Sequence, residues 1–220
     1  MASQQRCQVS GEEALARLQA GNRRYAQNVR SVDSLLSHSL RNVTQQAPFA
    51  IVLGCSDSRA PAEIVFDLGL GDLFVIRVAG NIVAPSQIGS VEFAAERFGT
   101  RLVVVMGHTH CGAIDATLEA LSGATSSTNQ LSIVNRVRPS IEALLKTDLV
   151  NDPERLRKEA VRANVRAAVN HLRHGSEIIE RLADKEGLLV VGAELDLSNG
   201  EVDFFEAPSQ SPVRKLTADR

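Results

Sequence analysis

The chain alternates between short runs that are almost wholly apolar and longer segments in which apolar residues recur with helical spacing. The apolar runs, which are rich in Val, Ile and Leu, cover residues 49–54, 73–78, 101–107 and 188–195. Near-continuous apolar runs are typical of parallel strands that are buried on both faces. The pattern therefore predicts an α/β fold in which βαβ units form one parallel sheet with helices on both faces.

The segments between these runs predict the helices. Helical patterns cover residues 61–69, 85–99, 112–123, 131–146 and 153–185, and the last is expected to break near residues 174–176. Near the N-terminus, Ser10 and Glu13 match a capping box that begins a further helix. The sequence contains no repeat and no evident linker. We therefore expect a single domain over residues 1–220, with residues 1–46 as an N-terminal helical arm.

Composition narrows the class of protein. The formal net charge of −2, the absence of Trp and the single Tyr argue against a nucleic-acid partner. No apolar run approaches the roughly 18 residues of a membrane span, so we expect no membrane partner. The opening residues MASQQRCQVS lack the apolar segment of a secretory signal, and three cysteines fit a reducing compartment. We therefore expect a cytoplasmic protein.

Chemically active residues follow the first predicted strand at alternate positions. Cys55, Asp57 and Arg59 come directly after the apolar run 49–54. In an extended backbone, side chains at every second position point the same way, so these three are predicted to converge. Asp57 and Arg59 alone would be an ordinary surface ion pair, which contributes little to stability.

A second cluster, GHTHCGA at residues 107–113, follows the third strand and contains His108 and Cys111. Gly107 and Gly112 flank this cluster and are predicted to allow a tight backbone turn. Since the carboxyl ends of parallel strands meet at one edge of a sheet, Cys55 should lie near His108 and Cys111. Two thiolates and an imidazole suit Zn²⁺, and three protein ligands are typical of a catalytic site with an open position. Either cluster alone would be better explained as buried core.

Together these motifs resemble those of the β-class carbonic anhydrases. The resemblance rests on CSDSR at 55–59 and GHTHCG at 107–112, supported by GDLFVIRVAGN, GSVEFAAERFG, NVRAAVNHLR and GAELDLSNGEV in the same order. It implies zinc-dependent, reversible hydration of CO₂ to bicarbonate and a proton, by attack of zinc-bound hydroxide on CO₂. It implies one zinc per chain, with Cys55, His108 and Cys111 as ligands and Asp57 and Arg59 as a catalytic dyad.

The resemblance also implies an antiparallel edge strand at residues 201–205. Family members are dimers or multiples of dimers, so a homodimer or a dimer of dimers is implied, with the N-terminal helix reaching the partner. Phe74, Ala79 and Phe93 match positions that line an apolar CO₂ pocket, although each is equally well explained as ordinary core. Gln46 matches a residue that donates a hydrogen bond to a substrate oxygen. Gly112 is assigned to the same substrate-binding set.

Two further expectations concern regulation. Some β-class enzymes bind inhibitory bicarbonate through a Trp, an Arg and a Tyr. Arg77 matches the Arg, but Val52 and Leu195 stand at the other two positions, so we expect no such site. In some relatives the dyad carboxylate becomes a fourth zinc ligand in a closed form. For Asp57 we favour the open form, in which water completes the zinc site.

Other functions stay open from the sequence alone. Zinc could be purely structural, with Asp57 as a permanent fourth ligand. A carbon disulfide or carbonyl sulfide hydrolase would share the zinc ligands. His110, adjacent to the site, could relay protons, although a structural or solvent-facing position is the simpler interpretation.

Overall fold

The computed structural model describes residues 7–29 and 46–205. The strands are β1 (Ala50–Gly54), β2 (Leu73–Arg77), β3 (Leu102–His108), β4 (Leu189–Leu195) and β5 (Val202–Phe205). The α-helices are α1 (Gly11–Ala26), α2 (Ala62–Val65), α3 (Pro85–Arg97), α4 (Gly112–Leu121), α5 (Thr128–Ile141), α6 (Pro153–His174) and α7 (Glu177–Glu186). Short 3₁₀ turns cover Ala79–Asn81, Glu142–Lys146 and Asp148–Asn151.

The five strands form one sheet in the order β2-β1-β3-β4-β5. Strands β1 to β4 run parallel, and β5 pairs antiparallel with β4. The predicted α/β fold, including its antiparallel edge strand, is confirmed. The chain leaves β1 toward β2 and then returns to β3 on the other side of β1. The point between β1 and β3 is therefore a topological switch point, where α/β sheets bind ligands beyond their strand ends.

Both faces of the sheet are buried, which explains the near-continuous apolar runs. Ile51, Leu53 and Val103 belong to one core layer, which also contains residues of α3, α6 and α7. Val52 and Val104 belong to the other layer, which contains residues of α1 and α2. Because successive strand residues point to opposite faces, a strand covered on both sides must be apolar at every position.

Helix α1 is fixed to the sheet of its own chain. The Asn22 amide donates to the Val65 carbonyl at 3.2 Å and to the Gly200 carbonyl at 2.9 Å, and its oxygen accepts from the Val202 amide at 2.9 Å. The helix begins as predicted, because the Ser10 hydroxyl accepts from the Glu13 amide. Residues 1–6 and 30–45 of the predicted arm lie outside the described residues, and the contact of the N-terminal helix with a partner subunit stays a prediction.

The later helices begin and end at local signals. A capping box between Ser127 and Gln130 starts α5 earlier than the predicted residue 131. The predicted break at 174–176 is confirmed, since α6 ends at His174 and the Ser176 hydroxyl caps α7. In the part of the chain that the structure describes, no helix has the length and apolar character required to cross a membrane.

The predicted role of Gly107 in a tight turn is wrong. Gly107 lies within β3, and a Cβ built there would approach Val165 Cγ2 to 2.7 Å and Val161 Cγ1 to 3.0 Å. The glycine therefore allows α6 to pack closely against β3. Gly112 is the first residue of α4 and does not have a positive φ. His110, with φ 55°, instead adopts the left-handed conformation in the turn before Cys111.

We predict that Gly107→Ala lowers the free energy of unfolding by about 1–3 kcal/mol, as is typical of overpacking a core. The matched control is Gly89→Ala in the interior of α3, where a Cβ would meet nothing within 4 Å. Because Ala has a higher helix propensity than Gly, Gly89→Ala should raise the free energy of unfolding by about 0.5–1 kcal/mol. Chemical denaturation measures both changes, and equal effects of the two substitutions would contradict the packing role of Gly107.

Candidate metal centre

The switch point between β1 and β3 carries a cluster of three metal-ligand side chains. Gly54 is paired with Met106, so Cys55 and His108 lie one and two residues beyond that last pair. Cys111 precedes α4 at its N-cap position. One ligand atom from each residue lies within 4.8 Å of the others, and all three side chains are buried. The sequence motifs thus meet at one place, as their positions at strand ends predict.

The geometry of the cluster fits zinc. Cys55 Sγ and Cys111 Sγ are 4.0 Å apart, close to the roughly 3.8 Å that two Zn–S bonds of about 2.3 Å enclose at a tetrahedral angle. His108 donates from Nδ1 to the Thr109 carbonyl at 2.9 Å. This bond leaves the lone pair of Nε2 available, and buried Nε2 has no hydrogen-bond partner. A histidine oriented by its second nitrogen is the usual arrangement at a zinc site.

The two sulfurs influence each other's ionisation. The hydrogen bond from Cys111, assisted by His108 and by backbone amides, lowers the pKa of Cys55 well below its ordinary value despite burial. The same hydrogen bond and burial raise the pKa of Cys111, because a second thiolate would lie beside the first. Burial lowers the pKa of His108, but the Cys55 thiolate and the Thr109 carbonyl outweigh it, and the net shift is upward. A divalent cation would offset the repulsion between two thiolates, which is the charge that this cluster is suited to bind.

An aspartate–arginine pair adjoins the cluster. Arg59 donates from Nε to Asp57 Oδ1 at 2.9 Å and from Nη2 to Oδ2 at 2.8 Å. This bidentate pair holds the pKa of Asp57 well below its usual range. Asp57 Oδ2 lies 3.9 Å from His108 Nε2, and Arg59 also donates to the His110 carbonyl. The pair, which follows β1, is therefore also in contact with the cluster of residues 107–113 that follows β3.

The backbone brings this pair together differently from the prediction. The extended strand ends at Gly54, and residues 57–60 form a turn in which the Ala60 amide donates to the Asp57 carbonyl at 3.1 Å. Alternation along an extended strand therefore does not explain the convergence. A turn closed by the Arg59 amide on Asp57 Oδ1, at 2.9 Å, places the two side chains in contact.

Arg77 supports the same segment from the neighbouring strand. It ends β2, donates from Nε to the Cys55 carbonyl at 2.9 Å, and donates from Nη2 to the Asp57 carbonyl. Val52 and Leu195, at the two positions related to the inhibitory anion site, are completely buried apolar residues. Sequence reasoning did not assign this supporting role to Arg77. A cation at the end of an otherwise apolar strand next to the thiol-bearing strand is the signal that could have indicated it.

The predicted pocket residues occupy several places. Ala79 begins the 3₁₀ turn next to Gly80, whose amide donates to Cys55 Sγ at 3.4 Å, and Gly112 follows Cys111. Phe74 and Phe93 lie with their ring centroids 6.2 Å apart, in an aromatic group that includes Phe98. Phe93 is 54% exposed. Gln46 is exposed at the start of the second described range. The roles of all five in substrate binding stay predictions.

Comparison with known proteins identifies the family. The family model described as carbonic anhydrase matches residues 50–202. Carbonic anhydrase 2 of Mycobacterium tuberculosis is 34% identical over 185 residues, which cover 83% of this chain and 87% of that protein. The carbonic anhydrase of Mycolicibacterium smegmatis is 41% identical over 160 residues, covering 72% and 75%.

This chain belongs to the β-class carbonic anhydrase family. Solved structures share its fold. A tetrameric β-carbonic anhydrase from Sordaria macrospora superimposes with a TM-score of 0.67 at 24% identity, covering 73% of this chain and 82% of that one. The chain is thus related to carbonic anhydrases, the enzymes whose general reaction is CO₂ hydration, over most of its length. The Cys55–His108–Cys111 cluster lies inside the matched region.

We predict that Cys111→Ser loses most of the zinc that the wild-type protein holds at about one ion per chain. Loss of a ligand should weaken binding by more than the roughly 10–100-fold that loss of an outer-shell partner costs. The matched control is Cys7→Ser, a free, half-buried cysteine outside the cluster. Metal analysis after dialysis measures both variants. Full zinc content in Cys111→Ser would contradict the ligand assignment.

Proposed function

We propose that this protein catalyses the reversible hydration of CO₂ to bicarbonate and a proton at a zinc ion held by Cys55, His108 and Cys111. The observation that carries the proposal is a bidentate Asp57–Arg59 pair that adjoins the ligand cluster at the switch point of the sheet, with Asp57 Oδ2 3.9 Å from His108 Nε2. Three protein ligands leave one position for the reacting water, as in catalytic rather than structural zinc sites.

Zinc, when bound, supplies the Lewis acidity that brings the pKa of water toward neutrality. The protein's part is to position that water. Asp57 is ionised and accepts its hydrogen bond, which directs an oxygen lone pair toward the carbon of CO₂. Arg59 holds both carboxylate oxygens in a fork, so the carboxylate keeps one orientation. The proton released leaves to solvent, and the product is bicarbonate.

The open form of the site is the one we propose at neutral to alkaline pH. Both Asp57 oxygens are engaged by Arg59, and Asp57 is not part of the group of ligand atoms that lie within 4.8 Å of one another. Arg77 adds to this by holding the Cys55 and Asp57 carbonyls. These contacts support water, rather than Asp57, as the fourth ligand, and they weigh against a purely structural zinc.

The remaining assignments follow from family membership. We propose that Phe74, Ala79, Phe93 and Gly112 line the CO₂ pocket, and that Gln46 donates to a substrate oxygen. We propose a homodimer or dimer of dimers, supported by the tetrameric Sordaria relative. Independently of the family, we propose a cytoplasmic location, because three cysteines fit a reducing compartment. Carbon disulfide or carbonyl sulfide hydrolysis would use the same ligands, so CO₂ and CS₂ should be assayed side by side.

We predict that the zinc-loaded protein hydrates CO₂ in a stopped-flow assay and that Asp57→Asn lowers kcat/KM at least about 100-fold, the loss expected from misplacing a reacting group. Zinc content should stay at the wild-type level, because Asp57 acts on water and not on the metal. Asp152→Asn is the matched control, since Asn caps a helix as well as Asp and Asp152 caps α6.

Wild-type activity in Asp57→Asn would contradict the dyad. Zinc binding by the wild-type protein without CO₂ hydration at any pH from neutral to alkaline would instead favour a structural zinc. Hydration of CS₂ but not CO₂ would identify the alternative hydrolase.

We predict that bicarbonate inhibits this enzyme without cooperativity. Val52 and Leu195 offer no hydrogen bond to an anion, and Arg77 is already engaged with the Cys55 and Asp57 carbonyls. The measurement is the rate of CO₂ hydration across bicarbonate concentrations, at pH 7 and pH 9. A Hill coefficient clearly above one would contradict the absence of the inhibitory site.

A further inference from the structure

We propose that Asn164 is a positioning residue for the metal centre, acting through Gly80 on the sulfur of Cys55. The inference rests on the proposed function only in taking Cys55 as a metal ligand. Asn164 lies in α6, and Gly80 lies in the 3₁₀ turn after β2. Both belong to motifs that carry the family resemblance, and Asn164 has no role in the chemistry described above.

Gly80 links two buried groups. Its amide donates to Cys55 Sγ at 3.4 Å, and its carbonyl accepts from Asn164 Nδ2 at 2.8 Å. The sulfur and the Asn164 side chain are both buried, with Asn164 only 4% exposed. In such surroundings water does not compete for these groups, so the two hydrogen bonds constrain Gly80 from both sides.

The turn adopts a conformation that needs such a constraint. Gly80 has φ 67°, and the next residue, Asn81, has φ 42°. Two successive left-handed residues are uncommon, and Asn81 is not a glycine. A Cβ at Gly80 would also lie 3.0 Å from the Ala113 Cβ, beside the ligand Cys111. The Asn164 amide therefore stabilises a backbone geometry that the turn would not strongly favour by itself.

Helix α6 is placed so that Asn164 reaches this turn. Gly107 lets Val161 and Val165 approach β3 closely, and Asn164 lies between them in sequence. Asn is a poor residue for a helix interior, and a buried amide is costly without partners. Its bond to the Gly80 carbonyl provides one. Asn164 thus has both the position and the chemistry to orient Gly80.

For the metal, the hydrogen bond has two consequences: it orients the Cys55 sulfur, and it changes the charge on that sulfur. An N–H group that donates to a thiolate draws charge from the sulfur, so the sulfur donates less to a bound cation. Two thiolate ligands would weaken the metal as a Lewis acid, and this reduction in donation would restore part of the Lewis acidity that the reacting water needs. Without the Asn164 bond, we expect the Gly80 amide to turn away from Cys55.

Cobalt(II) substitution and zinc competition test the inference. Asn164→Leu removes the amide at nearly constant size. We expect a shifted thiolate-to-cobalt charge-transfer band, because the sulfur regains charge. We expect zinc affinity to be lower by about 10–100-fold against a chelator, because a Cys55 sulfur that the Gly80 amide no longer orients loses more binding through misplacement than it gains through donation. The loss in kcat should exceed any change in KM. Asn164→Ala, which leaves room for a water to bond the Gly80 carbonyl, should change the same readouts in the same direction by less.

Asn22→Leu is the matched control. Asn22 is also a buried helical asparagine whose amide donates to backbone carbonyls, but in α1 and outside the ligand cluster. The Asn22→Leu substitution should lower the free energy of unfolding while leaving the cobalt spectrum and zinc affinity at wild-type values.

Wild-type cobalt spectrum and zinc affinity in folded Asn164→Leu or Asn164→Ala would overturn the inference, as would equal shifts in Asn22→Leu. The metal readouts need no CO₂ hydration. A shift confined to the Asn164 variants therefore supports the inference even if the wild type lacks activity, a result that would overturn the proposed function alone.

Discussion

The parallel pairing of β1 with β3 is the constraint on which the candidate site depends. Neither strand carries a complete set of ligands, and the cluster exists because both strands end at the same edge of the sheet. The pairing in turn requires burial of both sheet faces by helices, since the strands offer apolar side chains to each side. The core layers therefore determine the site as directly as the ligands do.

Charge at the site is balanced by hydrogen bonds from the backbone and from arginines. Two sulfurs and a carboxylate lie close together, and like charges at such distances are unfavourable unless compensated. Arg59 pairs with the Asp57 carboxylate, and the Gly80 amide donates to the Cys55 sulfur. Arg77 donates to the backbone carbonyls of Cys55 and Asp57. A divalent cation bound by the cluster would supply the remaining positive charge. The ligand set and its surroundings thus form one electrostatic unit.

The sequence predicts the strands well, and it predicts that Cys55, His108 and Cys111 lie together, because both depend on short patterns. The four parallel strands agree with the apolar runs to within about one residue at each end. The helix predicted over residues 61–69 is shorter in the structure and covers only Ala62–Val65. Asp67, with φ 48°, is held by Arg24 of α1 at 2.6 Å, a distant contact that the local pattern does not contain.

Around the candidate metal centre too, distant contacts determine features that the local sequence pattern does not predict. The reason for Gly107 lies in α6, and the partner of Gly80 is 84 residues away. The alternation of Cys55, Asp57 and Arg59 predicts that these residues lie close together. A turn, and not a strand, brings Asp57 and Arg59 into contact. Residue types at short spacing indicate candidate ligands, whereas the groups that orient those side chains depend on the completed fold.

The placement of the ligands on separate strands also bears on how the protein matures. Cys55 and Cys111 are 56 residues apart in sequence, and they meet only after β3 has docked beside β1. In a zinc finger, where ligands lie close in sequence, the ion itself drives folding. Here the candidate ligands meet only in the assembled sheet, so an ion held by them would bind the folded chain in preference to the unfolded one. Metal supply in the cell would therefore set how much of the protein is loaded and, by mass action, would also stabilise the folded state.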